Sequence, residues 1–548
     1  MRGDPAEGVG VPLQQRHRFS PWLATSLLMF GWVWGHPAMA EPSERPAVQY
    51  ARALLGVLDH LEAGLDATAQ IADSTAARLV GGGALWVAFS PVGPAGQQSF
   101  AKELYYRAGG LAMVRQASAG VTVTRPQDVL LVEDLGLSTD ITERQMQSAR
   151  SVGTLVILFG SATSPLVTSA DAVVTTGLGS GTVPVVRLRD TEAPVCPLAP
   201  PADIAAAWVF TGELVAACTR RGQMPAVLQS VVVNGSLNWN AKYNRMRFHD
   251  DLTVAPVAAG QLGRAYLAEI RRCVTRLREQ ADLFAAGGQA MADTRRAGGT
   301  AWAATIAHHV PGQFGLPGDP GVLDGSLPWN QAQNGDVAQL MKRVVPGDAL
   351  AYVGYYGLPA WSAFEPLRAL HLPSVWITGG RENPGLATDV RAGEIHIDPG
   401  WTFGDCAVVV PGYPIGILPP SGVVQTAALW MITGETAWAM SPPNTAIEAT
   451  ASGTVPVAWS LQAPYPNPFN PTTTIRYELA EAASVRLRVY AVSGQFVREL
   501  VSAGQQAGAY HVVWDGRDNA GVEVSSGAYL ARLEAGDFRA VTRMVLMK

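Results

Sequence analysis

An internal repeat limits the folds open to this chain. Tyr50, Gly82 and Trp86 return as Tyr266, Gly298 and Trp302, each 216 positions later. Pro126-Gln127-Asp128, followed by Val129 to Val132, returns 220 positions on as Pro346-Gly347-Asp348, followed by Ala349 to Val353. Thr154 to Gly160 returns as Ser374 to Gly380 at the same 220. Trp208 and Thr211-Gly212-Glu213 return as Trp430 and Thr433-Gly434-Glu435 at 222. Shared order over this length marks a duplicated unit rather than chance.

Each copy predicts alternating helices and strands. Ala47 to Val80 carries apolar residues at helical spacing, among them Leu54, Leu55, Leu58, Leu61 and Leu65, and ends at Gly81-Gly82-Gly83. The strand-like Ala84 to Phe89 follows. In the second copy a helical stretch from Tyr266 ends at Gly298-Gly299 and precedes the strand-like Ala301 to Ile306. Short apolar strands suit a parallel sheet covered on both faces. The expectation is two tandem doubly wound α/β domains, 45–232 and 263–437, joined by 233–262. That joining segment holds Gly235-Ser236-Leu237-Asn238-Trp239-Asn240, and a near-copy, Gly325 to Asn330, lies inside the second half. Trp239 and Trp329 suit packing between the halves or stacking on a sugar ring.

After a Pro/Ser/Thr/Ala-rich linker, 438–461, the segment 462–548 reads differently. Strand-like runs at Thr472 to Leu479, Val485 to Tyr490, Tyr510 to Trp514, Ala528 to Leu533 and Val541 to Met547 are separated by Gly-containing turns. They predict a small antiparallel sandwich. Asp515 to Gly521 lacks the downstream Glu of an EF-hand and reads as a turn.

Composition enters as a filter on partners. The formal net charge is -5 and no run of Lys or Arg occurs, so nucleic acid is not an expected partner. Arg16-His17-Arg18, the apolar Pro21 to Trp34 and Pro37-Ala38-Met39-Ala40 follow the order of a cleavable signal peptide over 1–40. That apolar stretch is short for a bilayer span of roughly 20 residues, and later ones are interrupted by charge or Gly/Pro, so no membrane segment is expected after processing. Four cysteines, Cys196, Cys218, Cys273 and Cys406, lack metal-ligand spacing, so no metal site is expected. Buried thiols, or at most one disulfide, are expected, and nothing calls for a cofactor.

The run Phe100-Ala101-Lys102-Glu103-Leu104-Tyr105-Tyr106-Arg107-Ala108-Gly109-Gly110-Leu111 resembles a motif of sugar isomerase (SIS) phosphosugar-binding domains. Asp171 to Val174 and Asp405 to Val409 are similar to a late strand of that family. The resemblance spans about 45–437. It implies a small-molecule sugar derivative held between strand ends and helix starts, with Ser90, Ser138, Thr139 and Thr142 as candidate ligand-binding residues. Ser138, Thr139 and Thr142 otherwise read as plain helix-capping residues. The family's Ser-Gly-x-Ser/Thr phosphate loop is replaced here by Glu133 to Thr139 and Gly354 to Pro359, and carboxylates in the first of these repel a phosphate dianion.

His308-His309 follows the first strand of the second half, where ligands of open α/β sheets bind, and is the candidate general base. Glu365 is the candidate partner acid, or else complements its helix dipole. His249-Asp250-Asp251 reads as a solvated loop. Three functions remain open at this point: binding of a sugar or sugar phosphate, aldose–ketose isomerisation, and a non-catalytic structural or interaction role at the cell surface.

The string Tyr465 to Pro471, Trp514-Asp515-Gly516, Ser526 to Tyr529 and Arg532 to Gly536 resembles the Ig-like C-terminal sorting domain of type IX secretion substrates, and related flagellar hook-cap repeats. The resemblance implies secretion machinery as a partner, and an exported, secreted or bacterial outer-membrane-surface address.

Overall fold

A computed structural model describes residues 44–88, 99–117, 125–135, 140–188, 193–326, 340–355, 361–379, 389–441, 448–450, 458–470, 472–519 and 522–547. The expected signal segment lies outside the described residues. The first half contains α1 (Pro46–Ala63), α2 (Leu65–Val80), β1 (Leu85–Val87), α3 (Ser99–Leu104), β2 (Arg115–Gln116), β3 (Val129–Glu133), α4 (Asp140–Ser151), β4 (Leu155–Gly160), β5 (Ala172–Thr175), the hairpin β6 (Pro184–Val186) and β7 (Val195–Pro197), and α5 (Ala199–Thr219). After α6 (Ser236–Tyr243) the second half runs through α7 (Gln261–Glu279), α8 (Ala281–Arg296), β8 (Ala301–Thr305), β9 (Ala349–Val353), α9 (Glu365–Arg368), β10 (Ser374–Ile377), β11 (Glu394–Ile397), the hairpin β12 (Val408–Val409) and β13 (Gly416–Ile417), and α10 (Ser421–Met440).

Both sheets are parallel: the first has strand order β2-β1-β3-β4-β5 and the second β8-β9-β10-β11. Strand side chains alternate between faces. Leu130, Val132, Val156 and Leu158 pack with Met146 and Ala149 of α4, while Val129, Leu131, Ile157 and Phe159 face the main core. In the second sheet Leu350, Tyr352 and Trp376 pack with Phe364 and Leu367, and Ala349, Ala351, Val353, Val375 and Ile377 face that same core. Both faces of each sheet are therefore covered, the doubly wound arrangement expected from the short apolar strands.

The repeat is visible as geometry. Asp128 accepts hydrogen bonds from Ala84 N (2.9 Å) and Trp86 Nε1 (3.1 Å), and Asp348 accepts them from Thr300 N and Trp302 Nε1 (both 2.8 Å). Each bracket ties the start of one strand to the start of its neighbour, β1 to β3 in the first half and β8 to β9 in the second. Backbone approach there is close enough to demand glycine. A Cβ on Gly83 would stand 2.1 Å from Gln127 O, and one on Gly299 would stand 2.1 Å from Gly347 O.

The halves also exchange helix caps. Ala47 N, in the first turn of α1, donates to Glu435 of α10 (3.1 Å). Gly260 N and Gly263 N, around the start of α7, donate to Glu213 of α5 (2.7 and 2.9 Å). Each carboxylate thus satisfies orphan N–H groups and meets the positive helix end of the other half. The two carboxylates therefore lock the halves together reciprocally.

Helix α5 is apolar all round and wholly buried, the placement such a helix requires. By length and composition it is the one helix among the described residues capable of crossing a membrane, although all of it lies inside the protein. The sequence reading passed over it because Asp203, Gly212 and Glu213 interrupt the run. The four cysteines are free thiols.

The C-terminal module contains β14 (Glu448–Thr450), β15 (Ser460–Leu461), β16 (Thr473–Leu479), β17 (Ala483–Ala491), β18 (Phe496–Gln505), β19 (Gly508–Trp514), β20 (Gly527–Ala535) and β21 (Phe538–Leu546). Two four-stranded antiparallel sheets, β14-β19-β16-β15 and β18-β17-β20-β21, enclose a separate core around Trp514, Tyr477, Val489 and Leu533.

Candidate functional site

The turn after α3 carries Arg107 into the interior, where it is 2 % exposed. Its Nη2 donates to Asp405 Oδ2 (2.8 Å), Ser421 Oγ (2.5 Å) and Tyr355 OH (3.1 Å), and its Nε lies 3.3 Å from Glu103 Oε1. Ser421, first residue of α10, donates its hydroxyl to Asp405 Oδ2 (2.8 Å), and Trp208 Nε1 donates to Glu103 Oε1 (3.3 Å). Tyr355 stands just beyond the carboxyl end of β9. The network thus joins residues of both halves at the strand edge where α/β sheets bind ligands. Burial, with a smaller contribution from Asp405, pushes the Glu103 carboxyl up to about 7 against the pull of Arg107.

The duplication supplies a second position of the same geometry. Leu418 N donates to Gly109 O (2.8 Å), and Cys196 N donates to Gly318 O (2.9 Å). Cys196 and Leu418, 222 apart, share left-handed φ values of 63° and 62°, and Val183 and Asp405, also 222 apart, share 47° and 53°. Gly318 is therefore the counterpart of Gly109, and Leu316 that of Arg107. Asp405 corresponds to Val183, Ser421 to Ala199 and, at the offset of 220, Tyr355 to Leu135. Leu135, Ala199 and Leu316 form a buried apolar cluster with Val183 packed against it. One position is charged and hydroxyl-rich, while its twin is filled by Leu, Val and Ala.

His308 is near enough to the charged position for the Arg107 charge to act on it. It is half-buried, and burial first, then the Arg107 charge, hold its imidazole down to about 3, so it is neutral at physiological pH. His309 is buried beside Gln313, whose Nε2 lies 3.2 Å from its Nε2. Among the described residues Glu365 shares none of these partners. It pairs with Arg368 (3.3 Å) and Arg391 (2.8 Å), and Arg368 also binds Asp389 and Glu394. Thr142, in the first turn of α4, is buried, and its Oγ1 has no hydrogen-bond partner among the described residues. Ser90, Ser138 and Thr139 lie outside the described residues.

At the carboxyl end of the first sheet stand Glu133, Asp134 and Asp203, all buried. Ser164 donates to Asp134, and Asp203 approaches the Gly160 backbone. Burial, and then the neighbouring carboxylates, push Glu133 and Asp203 upward. Such a floor favours protonated carboxyls and disfavours a phosphate dianion. Among the described residues, no three or more His, Cys, Asp or Glu are arranged to hold a metal ion.

The sequence reading missed the network, although Glu103, Arg107 and Asp405 all lie in the strings that carry the family resemblance. Charged residues inside otherwise apolar runs were the available signal.

The family model for the FlgD Ig-like domain matches residues 469–537, within the C-terminal module. A comparison with curated proteins found no match. Among solved structures, the chain is similar to the C-terminal domain of glucosamine-fructose-6-phosphate aminotransferase from Francisella tularensis, at 11% identity and a TM-score of 0.43, over 73% of this chain and 98% of that one. It is also similar to latent PorU from Porphyromonas gingivalis, at 19% identity and a TM-score of 0.15, over 16% of this chain and 9% of that one. PorZ, a bacterial surface component of the type-IX secretion system of the same organism, is similar at 17% identity and a TM-score of 0.13, over 18% of this chain and 13% of that one.

Proposed function

We propose that the paired α/β halves bind a sugar derivative at the Arg107 network, at one such position per chain, and that binding is not followed by turnover. The difference between the twin positions carries this reading. Leu316, Val183, Ala199 and Leu135 satisfy the packing demand at one of them, and a buried ion network is often no more stabilising than apolar residues of similar volume. Retaining Arg107, Asp405, Ser421 and Tyr355 is therefore better explained by recognition of hydroxyl and anionic groups than by stability. His308, at about 3, is a weak base, which favours binding over isomerisation. The resemblance of residues 100–111 to phosphosugar-binding domains supplies the ligand class.

Isomerisation stays as a second reading because Glu103, at about 7, is poised for proton transfer near neutral pH. We further propose that the chain is exported after cleavage behind Ala40 and delivered to the cell surface through its C-terminal module.

Thermal shift of the full chain against glucose, glucosamine and their 6-phosphates tests the binding reading. A ligand at 100 times its Kd adds about 2.7 kcal/mol of stability. Stabilisation by none of the four refutes the reading. Conversion of glucose 6-phosphate to the ketose by the wild-type chain, lost in Glu103→Gln, would favour the isomerase instead.

A further inference from the structure

The turn that sends Glu103 and Arg107 inward sends Tyr105 and Tyr106 outward, where they are 41% and 53% exposed. Both line a cavity of about 660 Å³ beside β2, the edge strand of the first sheet, near the amino end of β1. This is remote in kind from the carboxyl edge that holds the Arg107 network. Gly83, Ala84, Met113 and Gln116 contribute to the wall, together with three arginines, Arg115, Arg245 and Arg247.

The arginines bring positive charge that no carboxylate pairs with among the described residues. Arg115 lies over the Trp86 ring at 5.4 Å, and Arg247 donates to Leu79 O and lies over Phe248 at 5.6 Å. None of the three forms an ion pair among the described residues, and Arg247 Nε is buried without a hydrogen-bond partner there. The carboxylate that acts on Arg247, Asp128, is held by Arg125 (3.2 Å), Ala84 N and Trp86 Nε1. Arg115 and Arg125 act on Arg247 as like charges. Two lining residues, Tyr106 at φ 55° and Arg245 at φ 65°, hold left-handed backbone that costs energy in residues with a Cβ.

We infer that this cavity is a second binding site, for a sugar ring bearing a carboxylate, sulfate or phosphate group. Guanidinium forks match the geometry of such oxyanions. The exposed tyrosine rings offer flat apolar faces with a polar tip, suited to one side of a sugar ring. The volume falls in the range of small-molecule sites, and a bare inorganic ion would leave most of it unfilled.

The test is isothermal titration of the full chain with glucuronate, glucose 6-sulfate, glucose 6-phosphate and glucose. The expected result is a site that at least one acidic sugar occupies and glucose does not, with affinity falling as salt rises from about 0.05 M to about 0.5 M. Arg115→Gln with Arg245→Gln, both exposed, should weaken that site by about tenfold or more without lowering the melting temperature. Tyr106→Gly, tolerated at φ 55°, should weaken it while leaving the fold intact. The tightest of the three acidic sugars identifies the charged group. Glucose binding equally at the site that the arginine double variant weakens, binding of none of the acidic sugars, or binding unchanged in that variant would overturn the inference.

Discussion

Replacing Arg107, Tyr355, Asp405 and Ser421 together by Leu, Leu, Val and Ala gives the charged position the side chains that the molecule already uses at its twin. The single change Asp405→Ala is the contrast. It removes the acceptor 2.8 Å from Arg107 Nη2 and leaves a guanidinium 2 % exposed without its nearest counter-charge. Breaking a buried pair in this way costs about 3–5 kcal/mol, a large share of the roughly 5–15 kcal/mol that holds a domain together. The quadruple variant removes Arg107 and Asp405 together and leaves Glu103 buried in the protonated form that its raised pKa already favours, so measured at about pH 6 its cost is mainly that of repacking and lies between about zero and a gain of a few kcal/mol. Val at position 405 would adopt φ 53°, which Val183 already tolerates at 47°. Urea unfolding followed by tryptophan fluorescence reads the difference, because Trp208 donates into the network. Asp405→Ala should move the midpoint down sharply while the quadruple variant stays near wild type and no longer responds to sugar. A quadruple variant as unstable as Asp405→Ala would show the network to be a structural requirement that the apolar residues of its twin do not meet.

Glu103 makes a pH prediction. Its carboxyl is raised from 4.5 to about 7, so the folded state retains a proton that the unfolded chain releases, and stability drains away as pH climbs through that window. The full loss above it is about 3 kcal/mol, and Glu103→Gln should flatten that part of the stability profile measured from pH 4 to 8. Gly83→Ala and Gly299→Ala each drive a Cβ to 2.1 Å from a carbonyl oxygen and should each cost about 3 kcal/mol or more in urea unfolding. Gly56→Ala, in the open interior of α1, should instead stabilise by up to about 1 kcal/mol.

Much of the α/β architecture was legible because duplicated sequence leaves duplicated geometry. Trp86 with Asp128 and Trp302 with Asp348 stood out as repeated positions, and they are the two brackets that tie neighbouring strands. The alternation of Leu130 and Val132 against Val129 and Leu131 is invisible in a run that is apolar on both faces, so only the strand itself could be read. The exchange of caps was hidden for another reason. Ala47 and Glu435 lie 388 positions apart, and nothing in either local sequence announces that a helix of one half is capped by the other.

The same separation hid the candidate site. His308 was singled out by its place after a strand, a local property, and the Arg107 charge acts on its ring. Arg107 and Tyr355 lie far from each other and from Asp405 and Ser421 in the chain, and their convergence depends on how the halves interlock. The Glu365 expectation drew on its helix start, whereas its observed partners are Arg368 and Arg391. Position relative to a helix does not specify which charges the tertiary fold brings alongside.

If the two twin positions differ in function, titration stoichiometry shows it. The measurement uses the sugar or sugar phosphate that raises the melting temperature most, in a chain carrying Arg115→Gln and Arg245→Gln so that the arginine cavity does not contribute. The account predicts one ligand per chain, abolished when Arg107, Tyr355, Asp405 and Ser421 take the residues of their counterparts. Two ligands per chain, or one ligand undisturbed by that exchange, would contradict it.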